Sequence, residues 1–176
     1  MDSSAPPSSH GFEEAAVQRF IAQRKASQNL GFGILGGVLG ATLGAAIWAG
    51  LTFATHFQIG WMAVGVGFLA GFGVRILGKG IDPVFGYAGA MLALIGCVAG
   101  NLLTVMLVVS SQGHIPLSVL AAKLTPDVAW RMLTADFNVI DLLFYGVAIF
   151  AGYRYSFQHI TAAELEGLQT QPSSTP

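Results

Sequence analysis

Residues 31–55 read GFGILGGVLGATLGAAIWAGLTFAT and contain no ionisable side chain. At about 1.5 Å of rise per residue, an α-helix of this length exceeds the roughly 30 Å hydrocarbon core of a bilayer. Three more apolar stretches follow, at residues 57–75, 84–109 and 139–157. A backbone inside lipid must satisfy its own hydrogen bonds, which only helices and closed β-barrels achieve. These stretches lack the alternation of apolar and polar residues that is typical of barrel strands, so each stretch predicts a helix. We expect an all-α integral membrane protein with four transmembrane helices.

The composition of the whole chain agrees with this expectation. Of its 176 residues, 53% are apolar and 10% are charged, whereas soluble domains carry about 25% charged residues. This argues against a soluble globular enzyme, because so few charges cannot cover a surface that faces water. The net charge of −1 provides no basic surface for nucleic acid. The single cysteine, Cys97, excludes an internal disulfide and a cysteine-based zinc cluster.

The segments that flank the spans differ from them in composition. Residues 1–11 are rich in Pro and Ser and predict a disordered tail. Residues 12–30 predict an amphipathic helix in the membrane interface, or alternatively a soluble helical extension of the first span. Within the long loop at residues 110–138 we expect two short helices on the outer side. A short helix and a disordered tail are expected over residues 158–176.

The distribution of basic residues predicts the orientation, since positive charge accumulates on the cytoplasmic side. Placing both termini in the cytoplasm leaves two basic residues outside, Lys123 and Arg131. Six then lie inside: Arg19, Arg24, Lys25, Arg75, Lys79 and Arg154. We expect Arg75, Lys79 and Arg154 to be interfacial anchors that extend their charged ends toward the headgroups.

Eighteen of the 23 glycines fall between residues 31 and 100, and many recur along one helix face. In the first span, one row of small residues at four-residue spacing begins at Gly33 and a second begins at Gly36. Such faces let two helix backbones approach closely, which is how helices associate in lipid. We expect ten glycines to form helix-packing faces: Gly33, Gly36, Gly37, Gly40, Gly44, Gly67, Gly71, Gly89, Gly96 and Gly100.

These faces have two interpretations. They could pack the chain's own helices together, or part of the surface could contact a second copy or a larger membrane complex. The second interpretation stays open because two rows on one helix exceed what a single neighbour needs. It predicts that Gly40→Leu weakens an oligomer while the monomer still inserts.

Polar side chains within the spans are candidates for a functional site. Asp141 follows Asn138 by three residues, a spacing that favours a capping box at the start of the fourth span. The alternative is a polar site in the outer leaflet formed by His56, Asn101 and Asp141. The four histidines are scattered, and no nucleotide-binding or catalytic motif is present. We therefore expect no enzyme activity, no cofactor and no metal site.

A resemblance to known proteins rests on two stretches, IGWMAVGVGFLAGFGVR at residues 59–75 and DLLFYGVAIFAGYRYS at residues 141–156. They resemble segments of small, glycine-rich, four-span hypothetical membrane proteins of bacteria, over roughly residues 31–156. The resemblance implies the bacterial inner membrane and transfers no functional residue. The helix faces lead us to expect a structural or scaffolding role, in which the chain packs with itself or with a larger membrane complex. The alternative is a small channel or permease that uses Asp141 and Asn101.

Overall fold

A computed structural model describes residues 9–56, 60–135 and 138–158 of the chain. Within those ranges the regular structure is entirely helical. The helices are α1 (Ser9–Ala26), α2 (Leu30–Thr55), α3 (Trp61–Gly78), α4 (Pro83–Gly113), α5 (Leu117–Ala122), α6 (Pro126–Ala135) and α7 (Val139–Tyr155). Residues 1–8 of the predicted tail and the short helix predicted after residue 158 lie outside the described residues. The prediction of a disordered tail is wrong for residues 9–11, because α1 begins at Ser9, three residues before the predicted start.

Three helices, α2, α3 and α4, are long and apolar enough to cross a membrane. A fourth crossing is obtained if α6 and α7, which meet at a bend of 109°, count as one broken span. By itself α7 has 17 residues, or about 25 Å at 1.5 Å per residue. The apolar helices thus fit a membrane-embedded protein with three to four crossings.

The helix bounds differ in places from the expected spans. α1 ends at Ala26 instead of continuing to residue 30, because Asn29 is the N-cap of α2. Its side chain accepts a hydrogen bond from the Phe32 N–H at 3.1 Å, and its own N–H donates to the Gly78 carbonyl at 3.0 Å. At the other end of the bundle, α4 continues to Gly113, four residues beyond the predicted limit.

Helices α2, α3, α4 and α7 form one bundle. α2 and α7 each contact both α3 and α4, and α3 also contacts α4, whereas α5 and α6 contact α4. The interior consists largely of small side chains, and Ala49, Ala63, Ala70, Ala93 and Ala148 are fully buried. Larger apolar side chains such as Leu35, Leu39 and Leu43 point outward, where lipid would cover them.

Candidate functional site

The row that begins at Gly36 on α2 lies against α3. A Cβ atom on Gly36 would overlap the Gly73 carbonyl, and a Cβ on Gly40 would overlap the Leu69 carbonyl. One turn further on, a Cβ on Gly44 would lie 3.0 Å from the Val66 Cα. The obstructing atoms are mostly backbone, which cannot move aside as a side chain would. This row is therefore a backbone-to-backbone contact within the chain.

The row that begins at Gly33 is also occupied, by both α3 and α4. A Cβ on Gly33 would lie 3.2 Å from the Phe85 ring, and a Cβ on Gly37 would overlap a methyl group of Leu92. From the opposite side, a Cβ on Gly96 would lie 3.0 Å from the Ala41 Cβ. The two rows on α2 therefore serve two neighbours in the same molecule. A second copy is not needed to account for them.

The remaining predicted glycines complete the packing inside the bundle. A Cβ on Gly67 would overlap the Ala148 carbonyl of α7, and one on Gly71 would lie 2.6 Å from the Gly152 carbonyl. On α4, Gly89 faces Gly152 of α7 and Ser156, the C-cap of that helix. Gly100 faces Trp48 and Ala45 of α2. All ten glycines singled out from the sequence thus lie against another helix of the chain.

A third row of small residues on α2 is left open. Thr42, Ala46 and Gly50 follow one another at four-residue spacing and are exposed, and a Cβ on Gly50 would meet no atom within 4 Å. Thr42 and Ala46 line a cavity of about 230 Å³ on the surface of the bundle, where α2 and α4 meet. Its α4 wall includes Ile95, Ala99 and Leu103. We call this cavity the α2–α4 groove.

The three residues of the predicted polar site have three different surroundings. The Asn101 amide donates to the Tyr145 hydroxyl of α7 at 3.4 Å. Asp141 forms the predicted capping box with Asn138, and its carboxylate accepts the Asn138 N–H at 2.9 Å. His56 is the exposed C-cap of α2 in a left-handed conformation with φ of 56°. The structure therefore connects Asn101 to Tyr145 and gives Asp141 a capping role.

Two buried polar groups on α2 were not singled out from the sequence. Trp48 and Thr52 are 3% and 7% exposed. Within the described part of the chain, the Trp48 Nε1 and the Thr52 Oγ1 have no hydrogen-bond partner. Their spacing of one helical turn places both on the buried face of α2, but the sequence carries no signal for unsatisfied hydrogen bonds.

A polar cluster that the sequence also did not reveal closes one end of the bundle. The Gln28 side chain accepts the N–H groups of Ile81 and Asp82 at 3.0 and 3.2 Å and donates to the Asp82 carboxylate at 2.9 Å. Lys25 forms an ion pair with the same carboxylate at 3.1 Å. Hydrogen bonds from Gln28 and Lys25 hold the pKa of the Asp82 carboxyl below its usual range. The cluster attaches the end of α1 to the turn between α3 and α4.

The predicted interfacial anchors lie at this same end. Arg75 is in the last turn of α3, and Lys79 is the left-handed C-cap of that helix. Arg154 is in the last turn of α7 and is exposed. The chain beyond α7 returns to the turn after α3, where the Gln158 N–H donates to the Gly80 carbonyl at 2.9 Å. The ends of α3 and α7 thus present their basic residues on one side of the bundle.

Among the described residues, no three histidine, cysteine or carboxylate side chains gather as a metal site would require.

Comparison of the chain with protein-family models, with curated proteins and with solved structures finds no match.

Proposed function

We propose that this protein is a multi-pass membrane protein of structural or scaffolding type, which acts by helix packing against a second copy of itself. The observation that carries the proposal is the α2–α4 groove. Two rows of small residues on α2 are filled by the chain's own helices. The third row, at Thr42, Ala46 and Gly50, is exposed, and Thr42 and Ala46 line an open groove.

Close packing is the main source of affinity between helices in a bilayer, because lipid tails are as apolar as the side chains they would replace. A groove with a floor of small residues admits a helix backbone, and the exposed Ile95 and Val38 at its edges add contact area. Since the row and the groove belong to one surface, a two-fold axis beside them would bring each row to the partner's groove. The proposal therefore takes a second copy as the occupant.

The proposal includes a topology. Four crossings place the Gln28 cluster, Arg75, Lys79 and Arg154 on the same side of the membrane. By the positive-inside rule this is the cytoplasmic side, so both termini are cytoplasmic. The resemblance noted from the sequence favours the bacterial inner membrane, and α1 would lie in its interface. An activity-based reporter fused at the C-terminus tests this orientation: activity confined to the outer side would contradict it.

The test of self-association is a leucine placed in the α2–α4 groove. Gly40→Leu is unsuitable, because any side chain there collides with the Leu69 carbonyl inside the monomer. Ala46 is exposed, so Ala46→Leu fills the groove and leaves the bundle contacts in place. The matched control is Gly65→Leu, since a Cβ at Gly65 also meets no atom within 4 Å but α3 does not line the groove.

We expect wild-type protein in liposomes to dimerise in a manner that depends on its surface density, measured by single-molecule photobleaching. Ala46→Leu should weaken the dimer about tenfold, equivalent to about 1.4 kcal/mol, and Gly65→Leu should not. A wild-type chain that remains monomeric at every density would refute the proposal. If an unrelated protein co-purifies with the chain and protects the groove, the occupant of the groove is that protein and not a second copy.

A small channel or permease is the second candidate, and the hydrogen bond between Asn101 and Tyr145 is the observation in its favour. This contact places polar groups between α4 and α7 inside the bundle. Solute or ion flux into proteoliposomes that disappears in Asp141→Asn would support transport. A stable dimer without flux would support the scaffolding role.

A further inference from the structure

The unpartnered groups of Trp48 and Thr52 point to a ligand in the bundle interior. An indole N–H can only donate a hydrogen bond, and a hydroxyl can donate and accept. Leaving such a buried group unsatisfied costs about 1–3 kcal/mol. Two such groups one turn apart on the same buried helix face would double that cost at one place in the fold.

The hydroxyl of Thr52 differs from the other buried hydroxyls on the described helices. Thr104 donates to the carbonyl four residues earlier, Gly100, at 2.8 Å. Ser156 does the same with Gly152, at 2.6 Å. This local bond is the usual way in which a helical hydroxyl avoids an unsatisfied state in an apolar environment. Thr52 could donate to the Trp48 carbonyl in the same manner, but its Oγ1 has no partner among the described residues.

Other polar groups lie at about the same depth in the bundle. The Trp48 ring packs near Gly100, whose Cβ would lie 3.0 Å from the Trp48 Cε3. Asn101 is the next residue on α4 and donates to the Tyr145 hydroxyl. Tyr145 packs against the same buried cluster of side chains that contains Trp48. We call Trp48, Thr52, Asn101 and Tyr145 the polar layer.

We propose that the polar layer binds a small neutral molecule that accepts hydrogen bonds from the Trp48 Nε1 and the Thr52 Oγ1. The indole N–H requires an acceptor, and the side chains of the layer carry no formal charge to balance an ion. Water is the smallest molecule with this chemistry, and buried waters typically make about three hydrogen bonds to groups left unsatisfied by protein. A small solute with a hydroxyl or carbonyl oxygen has the same chemistry. The inference is independent of the α2–α4 groove, which lies on the outer surface.

The first measurement observes the Trp48 indole directly. The chain has three tryptophans, so a ¹⁵N-labelled sample in detergent gives three indole signals, and Trp48→Phe identifies one of them. We expect this proton to show cross-relaxation with a bound water. If a solute occupies the site instead, native mass spectrometry should show its added mass on the wild type and not on Thr52→Val. Either result supports the site and distinguishes the two sources.

The second measurement compares thermal unfolding of threonine variants. Thr52→Val keeps the shape and removes the hydroxyl, so loss of a bound ligand should lower the unfolding midpoint by about 2–4 °C. Thr52→Ser should restore it. The matched control is Thr104→Val, whose hydroxyl bonds to its own helix and whose loss should not shift the Trp48 indole signal. The proposal is overturned if the Trp48 indole shows no contact with bound water and no mass is added to the wild type, or if Thr52→Val unfolds at the same temperature as wild type or a higher one.

Discussion

Gly36 and Gly73 face each other so closely that neither position has room for a side chain: a Cβ atom on either would overlap the carbonyl oxygen of the other. The reciprocity means that α2 and α3 touch through their backbones at this point. Neither helix can accept even a methyl group unless the two axes separate. Because α2 also packs on α4, such a separation would disturb the contacts of a third helix.

We expect Gly36→Ala and Gly73→Ala each to destabilise the protein by about 1–3 kcal/mol, the usual cost of overpacking a tight interior. Gly65→Ala is the control, because a Cβ there meets nothing within 4 Å, and removing a mid-helix glycine stabilises a helix by about 0.5–1 kcal/mol. Reversible unfolding in mixed detergent and SDS micelles measures the difference. Equal effects at Gly36 and Gly65 would show that the two backbones are not in contact.

The capping box at the start of α7 predicts a stability effect for its two residues. Asn138→Ala should cost about 0.5–2 kcal/mol, as loss of an N-cap does. Asp141→Ala should cost a similar amount, and the double variant should cost less than the sum because the two residues share one structure. The same unfolding assay measures all three. If Asp141→Ala left stability unchanged and abolished flux in proteoliposomes, Asp141 would be a functional group instead of a cap.

Gln28 is expected to hold α1 against the bundle. Gln28→Ala removes three hydrogen bonds to the turn between α3 and α4, so trypsin should cleave after Arg24 and Lys25 several times faster. The control is Gln18→Ala, which changes an exposed glutamine of α1. Mass spectrometry of the early fragments follows the rates. Identical cleavage of all three proteins would mean that α1 does not depend on this attachment.

The lowered pKa of Asp82 predicts how this attachment responds to acid. A carboxyl whose pKa is lower in the folded state contributes stability that is present above its unfolded pKa, and that contribution is lost as the pH falls through the folded value. Hydrogen exchange at residues 27–29, corrected for its intrinsic pH dependence, should therefore be constant from pH 8 to about 5 and should rise below about pH 4. Asp82→Asn should remove this dependence. A change centred near neutral pH would assign it to another group.

The helical class and the packing faces follow from the sequence, because an apolar stretch and a row of small residues at four-residue spacing both report local geometry. The sequence does not report which neighbour each face meets. For that reason the second row on α2 could be assigned to another molecule, whereas Gly36 and Gly40 in fact meet α3. Contacts between distant residues, such as Gln28 with Asp82, have no local pattern at all. That the Trp48 Nε1 and the Thr52 Oγ1 have no hydrogen-bond partner among the described residues can be recognised only when the positions of all neighbouring side chains are known.

The short length of α7 has a consequence for the surrounding lipid. Beside α4, which has 31 residues, the hydrocarbon layer can keep its full thickness. In the proposed four-crossing arrangement, α7 spans about 25 Å and would draw the two leaflets toward each other by several ångströms, at a cost of fractions of a kcal/mol for each ångström. The annulus of lipid would then be thinner on one flank than on the other. Such a molecule would partition toward the thinner regions of a membrane, and two copies could reduce the deformation by sharing it.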